Sequence, residues 1–272
     1  MSTETLIKEW EAWKRERWNE LTGDMGKAHF TAKAIIAGPE PVRINGVEGS
    51  WRVTPDGDLE VTVSDADDLT LDGTPVIGRA TVPAGAHAIG EGRQVISGGA
   101  DGHYGVIVRD EQALEQSGLT GIDAFPFDPD WVIPGRLVPA AGDRTADIER
   151  LTEPRTRQDM PAPADLEIQI RGQRFVLTVL QELPDEALVI FTDTTSGVDT
   201  PAIGRWLRFP LDPAGGEIQV DFNRATVSHH HVAPTVYTCP TAPAGNHLPL
   251  AVVAGERNLA TGPATPKKEN DE

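Results

Sequence analysis

The sequence predicts a mainly β protein, with two β-sandwich or barrel-like halves and one N-terminal amphipathic helix. Three observations carry this. Turn formers are abundant, 27 Gly and 22 Pro in 272 residues, and they separate short apolar runs. From Ala28 to Arg109 the turns recur about every ten residues, the spacing of sandwiches and barrels. No long amphipathic helix lies between the strand-like runs, which disfavours a parallel βαβ sheet. A chain of this length can hold one large or two small domains, each with a real core.

The helix is expected over Ser2–Leu21. Leu6, Trp10, Trp13 and Leu21 share one face at ~100° per residue, with Trp18 at its edge. Ser2 or Thr3 can cap it, and Glu4 suits its positive end. Its tryptophans pack across a sheet, wall a ligand pocket or meet a partner. The organisation expected is a helix over 1–24, a first β-rich half over 25–145, a second over 146–259, and a tail over 260–272. The tail lacks apolar periodicity and is expected to be disordered.

In the first half, Asn45-Gly46 signals a hairpin, because both residues tolerate positive φ. Pro55–Asp58 separates the strand-like runs 50–54 and 59–63, and Asp72-Gly73 marks a further turn. Gly98–Gly102 separates 94–97 from 104–109. Its glycines lack both the G-x-G-x-x-G spacing and the following helix that a phosphate loop needs. Asp110–Ser117 suits one or two helical turns stopped by Gly118. Prolines make Phe125–Trp131 extended, burying alternate aromatics or rimming a pocket. Residues 139–163 read as a linker or a long crossing loop. Hairpins follow around Arg171-Gly172-Gln173 and around Asp212–Gly216, the latter joining strands 206–211 and 217–222.

The formal net charge of −18 argues against nucleic acid, which needs clustered Lys and Arg, and against anionic membrane surfaces. No run approaches the ~20 apolar residues of a membrane span. Met1–Leu21 is charged, unlike a signal peptide. The single cysteine, Cys239, forms no intramolecular disulfide and suits a reducing cytoplasm. A cytoplasmic protein is expected, with its oligomeric state open.

The densest polar clusters fall between Phe191 and Arg257. In an extended strand Asp221 and Asn223 share one face, and Phe222 and Arg224 the other. A carboxylate and an amide side by side suit ligand hydrogen bonding. They equally suit a buried polar network with Arg205, Arg224 or Glu256. If the run His229-His230-His231 is extended, His229 and His231 point the same way and could hold a divalent metal, with Cys239 or His247 as a third ligand. The chain has no C-x-x-C, H-x-x-x-H or H-E-x-x-H spacing, so a loop or a general acid/base role stands beside that reading. Cys239 is either an inert buried thiol or a thiolate activated by a nearby cation. Neither Ser196 nor Ser228 lies in a G-x-S-x-G elbow. The catalytic candidates are therefore Asp193, Asp221, His229, His231 and Glu256. The ligand-binding candidates are Arg205, Asp221, Asn223, Arg224, Asn246 and Glu256. The metal candidates are His229, His231 and Cys239.

An ordered set of short segments resembles the bacterial and archaeal domain-of-unknown-function family 1684. They are Phe191–Gly197, Gly204–Leu207, Asp221–Ala225, Thr238–Pro240, Asn246–Pro249 and Ala254–Arg257, with Val108–Asp110 and Phe125–Trp131 upstream. Two departures stand out. Pro201 occupies the place of an aromatic, and Val227-Ser228-His229-His230-His231 replaces an N-P-P-C segment, so the cysteine of that segment is lost. The resemblance implies an architecture rather than an activity. The expectation is a small-molecule pocket formed by the C-terminal half. The alternatives are a metal-assisted or acid/base hydrolase using the same pocket, and a structural or interaction module without one.

Overall fold

The structure, a computed structural model, describes residues 2–262. It is mainly β, with one long N-terminal helix and several antiparallel sheets. The helix, α1 (Thr3–Thr22), starts where Ser2 Oγ accepts the Thr5 N–H at 3.2 Å, satisfying a donor that has no partner within the first turn. The described residues form two compact units, one of 20–119, 232–237 and 262, the other of 2–19, 120–231 and 238–261.

The first unit holds β1 (Phe30–Ala37), β2 (Ser50–Val53), β3 (Leu59–Thr62), β4 (Thr70–Leu71), β5 (Thr74–Pro75), β6 (Arg79–Thr81), β7 (Gly85–Gly90), β8 (Arg93–Ala100) and β9 (His103–Asp110). They make a four-stranded sheet β1-β9-β8-β7, a three-stranded sheet β2-β3-β6 and the pair β4-β5. Strand alternation sends every second side chain inward. Tyr104, Val106 and Val108 of β9 meet Val61, Val95 and the fully buried Trp51 in one apolar core. Asp72-Gly73 and Asp101-Gly102 close two-residue hairpins with positive φ at both positions, the turn whose twist matches that of the strands. Asp72 also fixes β7: it accepts the Ala88 N–H at 2.9 Å and bonds His87 Nδ1 at 2.8 Å, while His87 Nε2 lies 3.0 Å from the Pro83 carbonyl.

The Asn45-Gly46 hairpin differs from expectation. The turn forms, with the Val47 N–H donating to the Ile44 carbonyl, but only one bridge, Val42 to Trp51, pairs the flanking chain. Ile44 and Val47 are both buried, so this loop closes on its own apolar residues rather than on ladder bonds. A short helix, α2 (Ala113–Ser117), ends as expected at a left-handed Gly118.

Eleven strands follow: β10 (Leu119–Ala124), β11 (Val132–Pro139), β12 (Thr145–Arg150), β13 (Thr156–Pro161), β14 (Ala164–Ile170), β15 (Gln173–Leu183), β16 (Glu186–Asp193), β17 (Arg205–Pro210), β18 (Gly216–Asp221), β19 (His247–Leu248) and β20 (Glu256–Thr261). The seven-stranded sheet runs β17-β16-β15-β14-β11-β18, with β19 parallel to β16, and β12-β13 and β10-β20 form separate pairs. The expected linker 139–163 therefore contains a paired hairpin, and the division expected at 145 falls at the start of β12. Of the expected tail, residues 260–261 belong to β20, and everything from 263 lies outside the described residues.

The hairpin expected around Arg171-Gly172-Gln173 forms, with Ile170 pairing Gln173 across a two-residue turn. The one around Asp212–Gly216 does not: β17 and β18 lie at opposite ends of the sheet path. Laid flat, that path would separate them by about 24 Å. The residues between them reach only about 21 Å fully stretched, and they turn, since the Gly215 N–H donates to the Asp212 carbonyl. The sheet must therefore curl, and it forms a half-barrel. Its hollow side is filled by Leu137, Leu166, Leu177, Val189, Phe191 and Phe222, among others. Gly135 sits within β11 because a Cβ there would meet Val220 Cγ2 at 2.9 Å.

Candidate ligand-binding site

The polar residues singled out by sequence mostly bind one another. Asp193 ends β16 fully buried. Its Oδ1 accepts the Thr195 N–H at 2.7 Å and the Thr195 hydroxyl at 2.6 Å, and its Oδ2 accepts Arg205 NH2 at 2.8 Å. Arg205, at 0% exposure, also donates to the carbonyls of Val252, Ala254 and Glu256. The rings of Phe191 and Phe125 lie 5.2 and 5.8 Å from its guanidinium carbon. Burial pulls its pKa down, and the Asp193 carboxylate opposes that. One guanidinium thus clamps the chain that leads into β20.

Glu256 continues the network. It accepts the Val227 N–H at 2.8 Å and Arg17 Nε at 2.9 Å, and both of these charged side chains are almost fully buried. Arg17 also donates to the Val227 carbonyl and faces His229 Nε2 at 3.4 Å. The sequence reading missed Arg17, although the signal was present. It falls about 40° from Trp13 and about 20° from Leu6 around α1, inside the apolar stripe. A cation there needs a buried partner.

Asp221 and Asn223 do not share an extended face. Phe222–Arg224 is a 3-10 turn, and Asp221 Oδ1 accepts both the Asn223 N–H and its side-chain amide. Asn223 Oδ1 and Nδ2 also bond the N–H and carbonyl of Asp128, both at 2.9 Å, so the amide pins the Phe125–Trp131 segment. Arg224 pairs with Asp221 at 3.2 Å. Asn246, fully buried, bridges β15 and β16 through the N–H and carbonyl of Thr178 and the carbonyl of Ile190. Asn223 and Asn246 thus place their side-chain polar groups on the protein's own backbone.

The histidine run is also not extended. His229–His231 forms a 3-10 turn, so His229 and His231 point about 120° apart around its axis. His229 Nε2 faces the Arg17 guanidinium, an environment that repels a cation. His231 Nδ1 bonds the wholly buried Ser228 hydroxyl at 3.2 Å, and burial lowers its pKa, which keeps the ring neutral. Burial pushes the Cys239 thiol up to about 11, so it is a thiol rather than a thiolate. His247 is exposed on β19 and bonds Thr192. Among the described residues no group of three or more His, Cys, Asp or Glu side chains could hold a metal ion.

A cavity of about 500 Å³ opens beside this network. Trp10, Trp13 and Trp18 of α1 line one wall together with Lys14, Arg15 and Arg17. Gly121, Ile122 and Ala124 of β10 form the other, with Asn223 and Glu256 at its edge. Trp10 is held by its indole N–H on the Asn223 carbonyl and by the Phe127 ring at 5.4 Å. A larger hollow of about 720 Å³ lies over β11, β14, β15 and β18, and its wall mixes charged and aliphatic side chains without aromatic ones.

A family model described as "Protein of unknown function (DUF1684)" matches residues 117–257, just over half of the chain. The chain belongs to the DUF1684 family. An uncharacterised protein of Haloarcula marismortui with a known solution structure is 27% identical. The match covers 51% of this chain and 77% of that one, with a TM-score of 0.42. No curated protein matches. The stretch matching DUF1684 supplies the half-barrel, the Asp193–Arg205–Glu256 network and the β10 wall of the cavity. The tryptophan wall on α1 lies outside that stretch. No helix among the described residues is long and apolar enough to cross a membrane.

Proposed function

We propose that this DUF1684 protein binds a small molecule in the cavity between α1 and β10. The observation that carries the reading is the wall of three half-buried tryptophans interleaved with cations, in a cavity whose volume falls within the ~300–1,000 Å³ of small-molecule sites. Tryptophans left half-buried beside a hollow gain contact area when a ligand covers them. The net charge of −18 favours such a ligand over nucleic acid or an anionic membrane as the partner. Hydrolysis through Asp193 or Ser228 has less support, because both are buried and bonded within the protein.

The test is ligand-observed NMR with a set of planar aromatic fragments, on the parent chain and on Trp18→Ala and Gly121→Val. A Cβ at Gly121 would meet only Ala260 Cβ at 3.8 Å, so valine there keeps the strand pair while adding bulk at a residue that lines the cavity. Binding to the parent that is lost in both variants is expected. No binding, or binding indifferent to both substitutions, would overturn the proposal.

A further inference from the structure

We infer that the cavity selects anionic ligands: a flat apolar body carrying a carboxylate or a group of the same charge. This rests on the small-molecule reading above. The chain holds 42 acidic residues against 24 basic ones, and many of its basic side chains pair with a carboxylate. Arg52, Arg109, Arg144, Arg157 and Arg174 each pair with one, and on α1 itself Lys8 pairs with Glu4. Lys14 and Arg15 are among the basic residues that have none. Among the described residues neither has a carboxylate within ion-pairing distance, and both line the cavity. The Lys14 ammonium rests on the Trp10 ring, 3.9 Å from its centroid.

The charges around the cavity do not cancel. Arg17 and Glu256 neutralise each other as a buried pair. That leaves Lys14 and Arg15 against the single carboxylate of Glu11, one positive charge in excess. The shape of the ligand follows from the walls. Trp10, Trp13 and Trp18 line one side, and across from them Gly121, Ile122 and Ala124 bring one branched side chain between two small residues. Packing does not demand the glycine at 121, since a Cβ there would make only an ordinary contact with Ala260 Cβ at 3.8 Å. A flat ring system fits between such walls, and its anionic group meets the two cations through charge-assisted hydrogen bonds.

The experiment is equilibrium dialysis at low ionic strength with three matched probes: 2-naphthoate, its neutral amide, and the 2-naphthylmethylammonium cation. Naphthoate is expected to bind about 10-fold more tightly than the amide, the effect of one charge-assisted contact, and the cation more weakly than either. The double variant Lys14→Gln, Arg15→Gln, both residues being exposed, should bring naphthoate down to the affinity of the amide and leave the amide unchanged. Equal binding of naphthoate and amide, both abolished by Gly121→Val, would overturn anion selection while sustaining the pocket. A naphthoate preference that survives the double variant would overturn the assignment to Lys14 and Arg15. Absence of binding by all three probes would remove the pocket reading and this inference together.

Discussion

In the unit of β1–β9 the deeply buried guanidinium is Arg109, and the Asp24 carboxylate it meets at 2.9 Å is 94% exposed. In the half-barrel unit its counterpart is Arg205, and here both members of the pair with Asp193 are at 0%. The first is a buried guanidinium whose carboxylate partners, Asp24 and Glu111, both stand in water. The second is a charge taken fully out of water, tolerable only because a carboxylate and three carbonyls surround it. The apolar cores do the same job in both units. What separates them is that one arranges its irregular chain with turns and apolar plugs, and the other with buried ions and amides.

The sharpest way to break this comparison is to remove each guanidinium. Arg205→Ala leaves the Asp193 side chain buried without its ion-pair partner, and should lower stability by about 3–5 kcal/mol. Arg109→Ala should cost about 1 kcal/mol, since water can solvate Asp24. Urea denaturation of both variants reads the difference, and equal losses would mean that exposure of the partner is not what matters.

A smaller effect is expected at Asn223. Replacing it by alanine strands the N–H and carbonyl of Asp128 and should cost about 1–3 kcal/mol. It should also loosen the Phe127–Trp10 contact, which near-ultraviolet circular dichroism would register. An unchanged tryptophan signal would show that the amide does not hold this segment.

The smallest effect belongs to the β1–β9 unit and depends on pH. Bonding to Asp72 raises the His87 pKa above its ordinary 6.5, and bonding to His87 and to the Ala88 N–H lowers that of Asp72 below 3.8. The histidine contribution is fully present below about pH 6.5 and is lost as pH rises through the raised value. The aspartate contribution is present above about pH 3.8 and is lost as pH falls through the lowered value. Stability of the parent relative to His87→Gln should therefore be greatest between these limits and should shrink above pH 7. Denaturation midpoints at pH 5.5 and pH 8 provide the measurement, and a constant difference would exclude the ion pair.

What the sequence revealed follows the same division. The short hairpins at Asp72-Gly73 and Arg171-Gly172 were legible because two residues with positive φ decide them locally. The Asp212–Gly216 segment carries similar turn residues, yet β17 and β18 pair elsewhere, because strand pairing across a curled sheet is a long-range choice. The polar cluster between Phe191 and Arg257 was found, and the network reading of Asp221, Asn223 and Glu256 was among the alternatives. Its principal partner was missed: Arg17 lies 239 positions before Glu256 and was hidden in a stripe read as apolar. The metal reading of the histidine run depended on a period of two, and the backbone takes a 3-10 turn there instead.

The Arg205 clamp has a consequence for cooperativity. Segment 252–256 has almost no ladder of its own, and such a segment would ordinarily open alone at little cost. Here its carbonyls are held by a side chain rooted in β17, while the Glu256 N–H donates to the Ala225 carbonyl and the Phe125 N–H to the Gly255 carbonyl. Releasing it requires freeing a fully dehydrated ion from the half-barrel. The loop therefore belongs to the same unfolding unit as the sheet, and the edge of the cavity at Glu256 is as rigid as the core behind it.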